Sequence, residues 1–140
     1  LMIRRPPRST QGVSSAESDV YKRQIKYIRA LEQVIIATLA EMNITATCES
    51  GNTGVWTNQG KIAAIGVKIT RGIAFHGLAL NVNTDLNKYR NIIPCGIADR
   101  PVTSMATILG QTVDMELVRY GLVYQFGREF RFSMEVGTIA

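Results

Sequence analysis

The sequence predicts an α/β (α+β) domain, a largely antiparallel sheet packed by helices, on three observations. Apolar residues recur at intervals of three and four over residues 25–42 and again over 114–130, the period of an amphipathic helix. Between these stretches lie two long strand-like runs, KIAAIGVKIT from Lys61 and IAFHGLALNVN from Ile73, joined only by Arg71-Gly72, a short hairpin signal. At 140 residues and 46% hydrophobic content, the chain can bury the core of one domain.

Taken in order, residues 1–23 are basic and Ser-rich, contain Pro6-Pro7 and show no hydrophobic period, so disorder is expected there. The phrases RRPPRST and SDVYKRQ are similar to translated sequencing-adapter sequence, so the segment reads as foreign to the domain that follows. No apolar h-region supports a signal peptide. From Gln24 the pattern changes: Ile25, Ile28, Leu31, Ile35, Leu39 and Met42 define one helix face, and Asn43 marks its end. In ITATCE, Ile44, Ala46 and Cys48 alternate with Thr45, Thr47 and Glu49, the period of a half-buried strand, with Cys48 read as a small core residue. SGNTGVWTNQGK supplies a loop, a short strand around Trp56 and a turn. The sheet is expected over residues 44–83. Asn83-Thr84-Asp85 can cap a short helical turn, which Pro94 ends, and Gly96 frees the backbone after Cys95. Thr103 and Ser104 either cap MATILG or face the site, with capping the reading taken, and Asp114 is a candidate cap for a final helix with Met115, Val118, Leu122 and Phe126 facing the sheet.

Charge and composition exclude several classes of function. Of the net charge of +5, residues 1–24 carry +3, and the remainder shows no basic stripe interleaved with aromatics, which argues against nucleic acid as a partner. No run approaches the ~20 apolar residues of a membrane span. Two Cys and one His are too few for a structural zinc site or a disulfide framework, so no metal is expected and a reducing, cytoplasmic setting fits. There is no Gly-Lys-Ser/Thr loop for nucleotide phosphates, and no cofactor is expected.

The hairpin carries the candidate chemistry. Pairing Thr70 with Ile73 sets Gly66 opposite Gly77 and Ala64 opposite Ala79, all four on one face. A strip of such small residues between bulkier ones leaves room for an extended acyl chain against the backbone. The same register puts Lys61 opposite Val82, so Cys95 can lie near Lys61. An ammonium within a few Å would favour the thiolate and draw the thiol pKa down from ~8.5. In a regular pleat Lys61 points away from the small-residue face, so the pair requires a bulge or a strand end to turn it. Trp56 is open to two readings, packing or contact with ligand. For His76 the readings are a hydrogen-bonded core residue or a proton-transfer group.

Through GVW (Gly54–Trp56), KIAAIGVKI from Lys61, HGLALNVN from His76, PCGI from Pro94 and VTS (Val102–Ser104), the chain resembles the lipoyl(octanoyl) transferase family. That resemblance implies the fold of the biotin/lipoate protein ligase catalytic domain. It also implies transfer of an octanoyl group from octanoyl-acyl carrier protein to a lysine of lipoyl domains, in 2-oxoacid dehydrogenases and the glycine cleavage H protein. Cys95 would form the acyl-thioester, Lys61 would lower its pKa, and Ala64, Ile65, Gly66, Gly77, Leu78 and Ala79 would line the acyl site. The family's Arg-Gly-Gly and His-Gly-Pro-Gly-Gln motifs, which precede the first helix, have no counterpart here. Residues 24–140 are therefore expected to be the C-terminal part of the catalytic domain, truncated at the N-terminus and inactive alone. A lipoate or biotin ligase relative that adenylates its acid, and a non-catalytic fragment, are the competing readings.

Overall fold

The computed structural model describes residues 13–71, 73–87 and 101–133. The elements in chain order are α1 (Val13–Glu41), β1 (Thr47–Glu49), β2 (Asn52–Thr57), β3 (Gly60–Thr70), β4 (Ile73–Leu80), α2 (Met105–Leu109) and α3 (Met115–Phe130). The strands form one antiparallel sheet in the order β1-β2-β3-β4, each paired with its neighbour in sequence.

Helix α1 starts at Val13, well before Ile25, so the disorder expected over residues 1–23 does not hold for 13–23. Residues 13–23 contain neither Gly nor Pro, and extending a helix that is already nucleated and docked costs little. Residues 1–12 lie outside the described residues. The buried stripe begins further along than the periodicity suggests. Ile25 is 40% exposed, whereas Leu31, Val34, Ile35, Thr38 and Leu39 are buried. Asn43 ends the helix as expected, with φ 62°. The Leu39 carbonyl then accepts from both Met42 N and Ile44 N, the wrap that a left-handed residue permits.

Strand β1 is shorter than ITATCE. Ile44 and Ala46 point inward as the alternation requires, but only Thr47 and Glu49 find partners on β2, at Trp56 and Asn52. Cys48 is half-buried rather than part of the core, and Gln33 Nε2 approaches its Sγ at 4.0 Å. The Arg29 guanidinium also interacts with it, a cation brought there by tertiary packing from nineteen residues upstream.

The β3–β4 hairpin has the expected register: Thr70↔Ile73, Gly66↔Gly77 and Ala64↔Ala79 are partners. Arg71 takes φ 54°, the positive value that a tight hairpin turn demands. The ladder runs out at Ala63↔Leu80, so Lys61 is not paired with Val82. At this end of the sheet residues 101–103 take over from β4, and Lys61 forms a parallel bridge with Val102.

One face of the sheet carries the core. Ile35 and Leu39 of α1, Val55, Ile62 and Ala63 of the sheet, Val82, Met105 and Val118 form one cluster, with Ile65, Leu78, Leu80 and Leu122 packed at its margin. Helix α1 lies directly on β2 and β3, while α3 packs on α1 instead of covering the sheet itself. The reason is the close fit between the helices: a Cβ on Gly121 would come within 3.1 Å of Thr38 Cγ2. Gln125 Nε2 also donates to Glu41 Oε1 at 2.6 Å. Both expected caps are present. Ser104 accepts from Thr107 N at 3.1 Å and Asp114 from Glu116 N at 2.9 Å.

A candidate active site at Lys61

Lys61 is the second residue of β3 and its backbone is held from both sides. Trp56 of β2 is its ladder partner, and on the other side its N–H donates to Pro101 O at 3.0 Å while its carbonyl accepts from Thr103 N at 2.8 Å. The side chain is buried, 6% exposed. Its direction is decided by a bulge. Between Val55↔Ala63 and Trp56↔Lys61, β2 advances one residue and β3 two, so Ile62 is the extra residue. Ile62 and Ala63 both belong to the core cluster, so the in-and-out alternation is broken at that point. Lys61 is thereby turned to the face opposite Val55 and Ala63, with Nζ over the Trp56 ring at 5.3 Å from its centroid.

That is also the face of Ala64, Gly66, Gly77 and Ala79, because neighbours in the pleat alternate and Ala63, Ile65, Leu78 and Leu80 face the core. Ala64, Gly66 and Ala79 are exposed and Gly77 half-buried, and a Cβ built on either glycine would meet nothing within 4 Å. Among the described residues, then, the small-residue strip is open and lies on the face to which Lys61 is turned. Ile65 and Leu78 give the strip only their backbone.

Gly54 makes room for the lysine stem. Its φ is 136°, and a Cβ there would lie 2.7 Å from Lys61 Cε and 2.8 Å from the Ala63 carbonyl oxygen. Gly54→Ala is therefore expected to cost about 1–3 kcal/mol in backbone strain and to push Lys61 off the Trp56 ring. Urea unfolding gives the first effect, and the emission of Trp56, the only Trp in the sequence, reports the second. An unchanged spectrum and midpoint would show that the close approach is not maintained.

Cys95 lies outside the described residues, so its distance from Lys61 is not set by them. The described residues on either side of it are well anchored. Met105 N and Ala106 N donate to the carbonyls of Asn81 and Val82, Asn81 Nδ2 donates to Thr103 O at 3.2 Å, and both ends of the Asn83 amide bond the backbone of Val113. Asp85 Oδ1 accepts from Asn87 N at 3.0 Å, the cap expected for the turn that begins there. Pro101, six residues after Cys95, is the residue hydrogen-bonded to Lys61 N. Of His76, only the backbone pairing with Val67 is described. Thr103, read as a cap candidate, is instead buried beside Lys61, and its hydroxyl has no hydrogen-bond partner among the described residues.

Glu32 was not singled out by the sequence pattern, yet its side chain is fully buried. Its Oε1 accepts from Gly54 N at 3.1 Å and its Oε2 from Arg29 Nη1 at 2.6 Å. That hydrogen bond is the main reason the Arg29 guanidinium is held above the ordinary arginine pKa. The available signal was position: Glu32 falls between Leu31 and Ile35, inside the buried stripe of α1. Among the described residues no group of three or more His, Cys, Asp or Glu is placed to hold a metal, and no helix is long and apolar enough to cross a membrane.

Fold and site together define an α/β domain whose antiparallel sheet presents an open strip of small residues on the same face as a buried lysine. The chain belongs to the lipoyl protein ligase A/B catalytic domain family, whose model matches residues 13–127. The match thus begins ahead of Gln24. Among curated relatives, the octanoyltransferase of Koribacter versatilis is 46% identical over 110 residues, which are 76% of this chain and 44% of that protein. The octanoyltransferase of Flavobacterium psychrophilum is 47% identical over 111 residues, 75% of this chain and 48% of that protein. The chain spans about half the length of the curated relatives it matches. Among solved structures, lipoate-protein ligase A bound with ATP has a TM-score of 0.68 at 16% identity, covering 83% of this chain and 50% of that one. The biotin protein ligase of Aquifex aeolicus has a TM-score of 0.62 at 19% identity, covering 79% and 48%. At these identities the likeness concerns the fold alone.

Proposed function

We propose that this chain carries the cysteine–lysine half of an octanoyltransferase site. The complete site moves an octanoyl group from octanoyl-acyl carrier protein to a lysine of lipoyl domains, including those of 2-oxoacid dehydrogenases and the glycine cleavage H protein, and this half is inactive alone. The observation that supports this reading is the bulge at Ile62, which turns Lys61 onto the small-residue strip. Relatives named octanoyltransferase, at 43–47% identity, agree with it.

The chemistry takes two steps. The Cys95 thiolate attacks the thioester carbonyl of the donor, a new C–S bond forms, and the carrier thiol leaves with a proton. The amine of the acceptor lysine then attacks the Cys95 thioester, the amide forms and the cysteine is released. Lys61 as an ammonium stabilises the thiolate, and as an amine it takes the proton lost by the incoming lysine. The acyl chain lies along Ala64, Gly66, Gly77 and Ala79. Each CH₂ gains ~0.8 kcal/mol only when fully buried, and the described residues cover the chain from one side. The donor thioester is already activated, so no nucleotide enters the scheme. The protein works in the cytoplasm, where donor and acceptors meet.

The test is intact-mass and peptide mass spectrometry of a complete enzyme containing this sequence, after incubation with octanoyl-acyl carrier protein without ATP. An octanoyl group on Cys95, absent in Cys95→Ser, is the expected result. Cys48, half-buried and beside Arg29, should carry none. Lys61→Arg should keep acylation of Cys95 but impair transfer to the acceptor, because a guanidinium stays protonated. Acylation of Cys48 instead, or octanoylation that appears only with ATP, would overturn the proposal. Slow transfer by this chain with normal Cys95 acylation would place the shortfall in acyl burial.

A further inference from the structure

We propose that Glu32 is a positioning residue for Lys61, acting through the backbone of Gly54. The functional meaning of this inference rests on Lys61 being the working amine, whereas the placement stands on geometry alone.

The geometry begins with a gap in the sheet. Between Glu49↔Asn52 and Thr47↔Trp56, β1 contributes one residue, Cys48, and β2 contributes three, Thr53 to Val55. Within that bowed segment Gly54 donates its N–H to Glu32 Oε1 at 3.1 Å, across from α1. Gly54 is also the residue over which the Lys61 stem passes, since any Cβ there would come within 2.7 Å of Cε and 3.3 Å of Nζ. The carboxylate is therefore bonded to a backbone unit that the lysine stem passes at van der Waals reach. The stem in turn leads Nζ over Trp56.

An ion pair with Arg29 does not account for this arrangement. The Arg29 side chain is 35% exposed and the Glu32 side chain 0%. An i,i+3 pair on a helix forms equally well on the surface, and burying a carboxylate is costly unless further hydrogen bonds satisfy it. The Gly54 N–H is that further bond. Glu32 is also flanked in the buried stripe by Leu31, Val34 and Ile35, so its carboxylate is delivered to the sheet by the packing of α1 on β2.

Two conservative variants separate the two accounts. Glu32→Gln keeps an acceptor oxygen of the same reach but loses the charge. Glu32→Asp keeps the charge but is one methylene shorter, so its oxygens withdraw from Gly54. The readout is the NMR signal of the Lys61 ε-methylene in the full chain. Those protons adjoin an Nζ 5.3 Å from the Trp56 ring centroid, so a ring-current upfield shift is expected for them. The inference expects Glu32→Gln to retain that shift, Glu32→Asp to lose it, and Arg29→Ala to retain it. Unchanged amide signals of Val113 and Val118 confirm the fold in each case. If Glu32→Asp retains the shift while Glu32→Gln or Arg29→Ala loses it, the ion pair holds the site and the inference fails. Retention in every variant overturns it too. None of these signals depends on acyl transfer, so failure here leaves the octanoyltransferase reading standing, and the absence of acylated Cys95 leaves this placement standing.

Discussion

Gly60→Ala is expected to lose about 3–5 kcal/mol of stability and to detach residues 101–103 from Lys61. The backbone at Gly60 has φ 128°, a region costing an L-residue about 1–3 kcal/mol. A Cβ there would also sit 2.5 Å from the Pro101 carbonyl oxygen and 2.8 Å from its carbon. Those atoms are main chain and cannot swing aside as a side-chain tip would. Relief requires Pro101 to move, which breaks the bonds from Lys61 N to Pro101 O and from Thr103 N to Lys61 O, each a net contribution of about 1 kcal/mol. Against the 5–15 kcal/mol typical of a folded domain, that is a large loss. Urea unfolding measures it, and hydrogen exchange at Thr103 shows whether the segment has come off. Gly51→Ala is the control, since Gly51 has φ 83° but open space around it, so it suffers strain alone. Equal losses in the two variants would mean that Pro101 is not held against Gly60.

Leu39→Ala is expected to cost 2–5 kcal/mol, the range for emptying a fully buried leucine site. Leu39 is 0% exposed and lies in the cluster that joins α1 to the sheet and to Val118 of α3. A cavity there loosens three elements at once, so little collapse can offset it. Its carbonyl also anchors the Asn43 turn through Met42 N and Ile44 N, but those bonds are main chain and survive the truncation. Leu117→Ala provides the contrast: Leu117 is 61% exposed, and substitution there should stay within about 0.5 kcal/mol. A small effect at Leu39 would show that α1 is not seated as described.

The readable parts of the sequence were those in which a local rule and the final packing agree. The Arg71-Gly72 turn and the two-residue period of the strands determine the pairing of Gly66 with Gly77 and Ala64 with Ala79 without reference to anything distant. Ser104 and Asp114 cap their helices through side-chain contacts two or three residues away. The end of α1 at Asn43 is likewise local. Its start lies ahead of the periodic stretch because residues 13–23, although Ser-rich, contain neither Gly nor Pro to break a helix.

The features that make a site were legible only in part. From the sequence it follows that Lys61 lies at the foot of a hairpin with one side-chain-free face, and that a regular pleat aims Lys61 away from that face. Tertiary structure alone decides that Ile62 is the extra residue, that residues 101–103 replace β4 beside Lys61, and that Glu32 is drawn beneath Gly54. It also decides that α3 rests on α1 and that Cys48 meets Arg29. Each of these pairs groups from separate elements, 19 to 42 residues apart in most cases, and depends on where whole elements dock. Local periodicity carries no information about such docking, because the pattern of a strand is the same whether its neighbour is regular or bulged.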